Sequence, residues 1–379
     1  VCTTLAAAHV RRVVVDEAHI LPQVEHAFRK DYRRIGPFIE SLPKHPQVLA
    51  FTATATCSDL NYIAERLCMH DPKRLLFPIR RKNIKIYVKK VTIRDKPGKT
   101  RKLQNARLRL LDDVLHKYRK HGATIIYCPR VKDVKRTTKW LRSRDYPVKA
   151  YYGKMKRCKR AHVQDYFLTK KRPIIVATNA FGLGIDRPDV RLVVHAGLPI
   201  GIDAYTQEIG RAGRDGKPAW VHLLFGRADT RINEGILADM TPDHDCLAQV
   251  YRCLRTLQRQ SGEEFFALSN LDLARLSSQH FHEVRPASAA CGIAVFRELG
   301  LVETRTTYVM GEATRSVHVV DVKSKVELTD SVRYREGLGE QEIYHTFRDW
   351  VMDSDASSLH ARVSRPILPK QAGEGEKRS

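Results

Sequence analysis

The chain has 379 residues, 42% of them hydrophobic and 29% charged, which excludes a disordered polymer and leaves room for two or three domains. Lysine and arginine outnumber aspartate and glutamate by 67 to 42, and the net charge of +25 favours a polyanionic partner, nucleic acid first. No apolar run approaches the ~20 residues of a membrane span, no signal peptide opens the chain, and the eight cysteines are scattered without a CxxC pair. These features predict a cytosolic protein with reduced thiols and no membrane partner.

The sequence opens on Val1, in an alanine-rich apolar stretch just ahead of a strand, and a further segment is expected upstream. "RRVVVDEAH" reads as a buried strand running into Asp16, Glu17 and His19, and "HPQVLAFTATAT" as a second strand ending in threonines. Between about Asn83 and Lys102 the pattern turns basic and includes Pro97 and Gly98, so residues 83–101 read as a linker after a first domain of residues 1–82. Leu103, Ala106, Leu110, Val114 and Tyr118 then recur at helical spacing. "ATIIYCPR", "VKAYYG", "RPIIVATNAFG", "VRLVVHAGLP" and "AWVHLLFG" read as strands, with a basic helix from about Lys132 to Ser143. Apolar strands alternating with helices imply α/β architecture, with a parallel sheet covered on both faces.

A second boundary follows Asp229, closing a domain of residues 102–229. Past it, "AACGIAVFRELGLVET" reads as an amphipathic helix ended by Gly300, and "VETRTTYVM" with "RSVHVVDV" as a hairpin. A helix followed by a β-wing predicts a small α+β, winged-helix-like domain over 230–325. A helical segment over 326–370 and a polar tail, "QAGEGEKRS", complete the chain.

Ligands of open parallel sheets bind beyond the carboxyl ends of the strands, where Asp16 and Glu17 stand. Two adjacent acids there suit a metal–nucleotide site, one holding Mg²⁺ and one orienting water. A lone DEAH can equally be chance, or an acidic cap on a helix. Its companions decide otherwise. Thr52 and Thr54 in "FTATAT" are placed to bond His19 and couple the strand tips. Gly182 and Gly184 form a turn where backbone approaches a ligand closely, and Asp186 comes next. "YTQEIGRAGRDG" puts Gln207, Arg211 and Arg214 on one helix, with the two arginines sharing a face. Guanidinium groups aimed at one crevice suit a γ-phosphate. In isolation GRAGR would be a solvated arginine pair.

In this order, "DEAH", "HAFRKDYRRI", "FTATAT", "IIYCPR", "VATNAFGLGIDRPDVRLVVH" and "QEIGRAGRDG" resemble the motifs of RecQ-type superfamily 2 helicases over residues 5 to 228. The resemblance implies two RecA-like lobes, the first incomplete here, and an ATP-driven motor moving 3′ to 5′ on single-stranded and forked DNA in repair or recombination. It implies ATP and Mg²⁺ as cofactors, with Asp16 on Mg²⁺ and Glu17 as base. His19, Thr52 and Thr54 would couple hydrolysis to DNA grip. Gly182, Gly184 and Asp186 would lie at the nucleotide, Gln207 near its phosphates, and Arg211 and Arg214 would form a finger pair. Phe28, Arg29, Arg130 and Thr178 would face DNA.

Three departures stand out. No GxxxxGK[ST] phosphate-binding loop occurs in the sequence, so the chain by itself is expected to be inactive as an ATPase. Val24 stands where the family has a tryptophan, which leaves Phe28 as the stacking aromatic unless it is a core residue. Only Cys246 and Cys253 occupy the region of the family's four-cysteine zinc site, so no zinc is expected. The tail, with "AVFRELGLVE", "VKSKVELTDSVRYREG" and "SRPILP", resembles that of RecJ-type exonucleases. The alternative is therefore a non-catalytic nucleic-acid-binding or regulatory segment linked to a single-strand exonuclease. The expected setting is cytoplasmic and nucleoid-associated.

Overall fold

The computed structural model describes residues 9–18, 21, 32, 34–52, 57–75, 81–91, 100–182, 185–278, 283–309, 312–322 and 325–363. The chain divides into two compact units, one of residues 1–81 with 358–379 and one of residues 82–357. In the first, β1 (Arg12–Val15) pairs in parallel with β2 (Gln47–Ala50), and α1 (Ile35–Glu40) and α2 (Cys57–Arg66) complete it. Val15, Ala18, Leu21, Ile39, Ile63 and Leu67 form its core. The β1 strand is not fully buried as its apolar run implies: Val14 is 59% exposed, because among the described residues only β2 flanks it and the core lies on one face.

The second unit opens on β3 (Ile84–Lys90), in the stretch expected to be linker. It pairs in parallel with β8 (Ala219–Phe225) from Ile84↔Ala219 to Lys90↔Phe225. The correction has a simple cause. The buried Ile84 and Ile86 alternate with the exposed Lys85 and Tyr87, Lys89 and Lys90 follow, and an edge strand tolerates such a charged outer row, which composition alone reads as linker. Next along the chain are α3 (Thr100–Tyr118), β4 (Ala123–Tyr127), α4 (Val131–Arg142), β5 (Val148–Tyr151), α5 (Arg157–Thr169), β6 (Ile174–Ala177), β7 (Val190–Ala196) and α6 (Ile202–Ile209). The sheet order is β3-β8-β7-β4-β6-β5, parallel throughout. Every residue of β4, β6 and β7 is buried, as Val/Ile runs in a sheet covered on both faces require. This is the RecA-like α/β arrangement.

The boundary expected after Asp229 falls inside a packed joint. Asp229 lies in the first turn of α7 (Ala228–Met240), is 1% exposed, pairs with the buried Arg107 of α3 and accepts the Gly226 amide at 2.9 Å. One turn on, Asn233 Nδ2 donates to the carbonyls of Leu198 at 2.9 Å and Pro199 at 3.1 Å. The lobe and the C-terminal region to residue 357 are thus one compact unit.

Beyond the joint come α8 (His244–Ser261), β9 (Phe266–Ala267), α9 (Asn270–Ser277), α10 (Pro286–Glu298), β10 (Val302–Val309) and β11 (Glu312–Val319). The antiparallel order is β10-β11-β9. Local chemistry sets the ends: Asp243 caps α8 on the Cys246 amide, Ser269 caps α9 on the Asp272 amide, Pro286 opens α10, and Gly300 turns at φ +70° before the hairpin. Helix α10 is not amphipathic as read. Ser288, Ala289, Cys291, Gly292, Ile293, Val295 and Phe296 are all buried, so it is the central helix of this region. Two helices, α11 (Val332–Asp353) and α12 (Ala356–Val363), end the described chain.

Candidate functional site

The loop after β6 carries the densest constellation. Thr178 leaves the strand, and Phe181 N donates to its carbonyl at 3.0 Å. Gly182 sits at φ +155°, where a Cβ would collide with the Arg211 guanidinium, so this position takes only glycine without displacing that arginine. The Gly182 carbonyl accepts Arg211 Nη1 at 2.5 Å and the Ile185 amide at 3.1 Å. Arg214 Nη1 reaches Asp186 Oδ1 at 2.6 Å. Asp186 is 84% exposed and Arg214 40%, whereas Arg211 is half-buried and its Nε is buried without a partner among the described residues.

Both arginines therefore meet the same loop, though not from one helix as the sequence suggested. Helix α6 carries the exposed Gln207 and stops at Ile209. Gly210 and Gly213 make the next turn, Gly213 at φ +55°, where the Asn83 side chain donates to its carbonyl at 2.8 Å and to that of Lys217 at 2.9 Å. Arg211 and Arg214 face the loop from this turn.

The sequence reading missed the residues beneath. Arg187 is buried and grips Asp189 through Nε (2.6 Å) and Nη2 (2.9 Å) while bonding the Phe167 carbonyl. Its hydrogen bond holds the Asp189 carboxyl below the usual carboxylate range. Arg191 does the same to Asp215, fastening the start of β7 to the arginine turn. The buried His195 meets Glu208 Oε2 at 2.7 Å, stacks on Tyr127 at 5.5 Å and lies 4.7 Å from the Tyr205 ring. Tyr127 in turn donates to the Phe181 carbonyl at 3.0 Å. Burial first, then the Glu208 charge, pushes the Tyr127 hydroxyl upward, so it stays a proton donor to the loop. The signal for this layer was charge inside apolar strand runs, His195 above all, which strand periodicity does not resolve.

In the first unit, Asp16 and Glu17 stand exposed at the end of β1. Glu17 lies at φ +52°, an unusual conformation for a non-glycine residue, and its amide bonds Asp16 Oδ1 at 2.8 Å. The two strand tips are joined by backbone, Phe51 N to Val15 O and Ala18 N to Phe51 O, both 2.9 Å, with Thr52 next in the chain. His19, Thr54, Phe28, Arg29 and Gly184 lie outside the described residues. Of the residues read as facing DNA, Thr178 is buried and its Oγ1 accepts the Ala180 amide at 3.4 Å. Arg130 precedes α4 and forks onto Asp133 at 2.6 and 3.0 Å. Cys246 and Cys253 pack against the core formed by α8, α9 and α10. No described helix is long and apolar enough to cross a membrane.

Residues 106–216 match the helicase conserved C-terminal domain. The chain is similar to the probable ATP-dependent DNA helicase RecS of Bacillus subtilis (strain 168), 33% identical over 264 residues, which are 68% of this chain and 49% of that protein. It is 34% identical over 275 residues to the bifunctional 3′-5′ exonuclease/ATP-dependent helicase WRN of Mus musculus, covering 72% of this chain and 18% of that one. Against the ATP-dependent DNA helicase RecQ of B. subtilis (strain 168) the identity is 31% over 233 residues, 62% and 37% of the two chains. The chain thus spans about half the length of RecS and less of the other two.

Proposed function

Since the chain belongs to the RecQ-type superfamily 2 helicases, we propose that it carries part of an ATP-dependent, 3′ to 5′ DNA helicase acting on single-stranded and forked DNA in repair or recombination. One observation carries the reading: Arg211 and Arg214 are both tied to the loop that bears the exposed Asp186. A guanidinium with a donor left over at Nε, beside a second that is exposed, fits an anionic ligand. The adjacent carboxylates at the β1 tip fit a hydrated divalent cation.

ATP with Mg²⁺, when bound, supplies a phosphoanhydride whose cleavage releases the free energy for movement. In this reading Asp16 would hold the cation, and the Glu17 carboxylate would orient water and accept its proton. Asp186 would position the ribose, and Gln207, Arg211 and Arg214 would face the phosphates, where the two guanidinium groups would offset developing negative charge. His19, Thr52 and Thr54 link the first-lobe acids to DNA grip. The three-helix, three-stranded region over α8 to β11 acts as a winged-helix module. The RecJ-like tail supports the alternative reading, a non-catalytic nucleic-acid-binding or regulatory segment of a single-strand exonuclease.

The test joins this chain to a segment that supplies the phosphate-binding loop and measures DNA-stimulated ATP hydrolysis. Arg214→Ala should lower turnover about 10³-fold, the scale of an arginine finger, with single-strand binding little changed. Undiminished turnover would remove the finger assignment. No hydrolysis from the joined protein would favour the non-catalytic, exonuclease-linked alternative.

A further inference from the structure

A cleft of about 350 Å³ opens where α7 passes beneath the start of α4. Its cations come from three separate elements: Arg130 and Lys132 at the head of α4, Arg231 on α7 and Arg285 just before α10. One carboxylate, Asp239, also lines it. The four cations divide into two kinds. Arg130 is fixed by its fork onto Asp133, and Arg285 by Nε on Asp239 Oδ1 at 2.7 Å. Lys132 and Arg231 are exposed and make no hydrogen bond or ion pair among the described residues. Two oriented guanidinium groups beside two uncompensated charges form an anion site already held in place. The floor is different in kind. Ile232 and Ile236, one helical turn apart on α7, present apolar surface, and Gly235 between them leaves the floor low. A site for a bare inorganic ion needs no such floor; a phosphodiester carries a sugar that does.

We propose that this cleft between the second lobe and the C-terminal module seats a backbone phosphate and its sugar from a nucleic-acid strand, with Lys132 and Arg231 supplying the charge that Arg130 and Arg285 orient. The proposal rests on the nucleic-acid reading of the function and adds the point at which the strand leaves the lobe for the module. Sequence recognition is not expected there, because the contacts are to phosphate and sugar.

The test is fluorescence anisotropy of a labelled oligothymidylate on the whole chain, without nucleotide, over a range of salt. The joint substitution Lys132→Gln and Arg231→Gln should weaken binding about tenfold and lower the salt slope by about 0.7, one phosphate contact on a single strand. Lys171→Gln with Arg172→Gln, an equally exposed pair before β6, is the comparison and should change binding about twofold at most. Gly235→Leu fills the floor with no change of charge. The added Cβ meets Arg285 Nη1 at an ordinary 3.5 Å and leucine favours the helix, so this variant should fold and still bind less tightly. Equal losses from the two cation pairs, or no loss from Gly235→Leu, would overturn the proposal. So would pyrophosphate at matched ionic strength displacing the oligonucleotide from the parent chain but not from the cleft variants, since the site would then take free phosphate. Because no hydrolysis is measured, a failed motor leaves this result readable; absence of any oligonucleotide binding would instead end the nucleic-acid reading itself.

Discussion

Two parallel sheets in this chain end on charged residues, and they support those residues in opposite ways. In the second lobe the central strands are buried along their whole length, and β7 buries all seven of its residues. Its terminal loops are then fastened by Arg187–Asp189, Arg191–Asp215 and His195–Glu208, with little freedom left to the Gly182–Arg211 contact. In the first unit, β1 has one strand neighbour among the described residues, Val14 is 59% exposed, Asp16 and Glu17 are exposed, and the Asp16 carbonyl accepts Tyr32 Oη at 3.5 Å. The lesson concerns rigidity. A covered sheet lets a loop be defined by buried charge pairs, whereas a half-covered one leaves its acids exposed at the strand end.

The largest test of that contrast lies at the joint where the lobe continues into α7. Arg107→Met leaves Asp229, 1% exposed, without its counter-charge and should cost about 3–5 kcal/mol of stability in urea unfolding. Adding Asp229→Asn should recover a good part of it. A loss below about 1 kcal/mol for the single variant would mean that the pair does not hold the joint.

The next effect is on pH. His222 in β8 is buried, stacks on Tyr87 at 4.8 Å and has no hydrogen-bond partner at either ring nitrogen among the described residues. Burial first, with Lys89 and Lys117 adding repulsion, lowers it from 6.5 to about 4. The unfolded chain therefore binds a proton in that interval that the folded chain refuses. Stability is full above about pH 6.5 and falls as the pH drops toward 4, by about 3 kcal/mol in all. His222→Phe should flatten the melting temperature across this window; an unchanged slope would place the acid sensitivity elsewhere.

The smallest effect bears on the sheets themselves. Val193→Thr, at a fully buried position of β7, should cost about 1–3 kcal/mol by bringing a hydroxyl into the core. Val14→Thr should stay within about 0.5 kcal/mol. Equal costs would show that β1 is as well covered as β7, and would remove the contrast between the sheets.

Much of this was legible from residue order alone. The strands from "ATIIYCPR" to "AWVHLLFG" could be found because a sheet covered on both faces demands unbroken Val/Ile runs, and β4 to β8 lie where those runs do. Asp16, Glu17, Gly182, Asp186, Arg211 and Arg214 were read as motif residues for a different reason: each lies past the end of an element, where short spacing is informative. Tertiary structure alone decided the rest. The lysines of β3 looked like linker until β8 paired with them, and Asp229 looked like a boundary until Arg107 met it across 122 positions of sequence. Arg211 and Arg214 left their expected helix because Gly213 turns the chain against Asn83. Periodicity reports which face of an element is apolar; it cannot report which distant charge will neutralise a buried one. That choice is made by packing, where leaving a charge unpaired costs more than any local preference can offset.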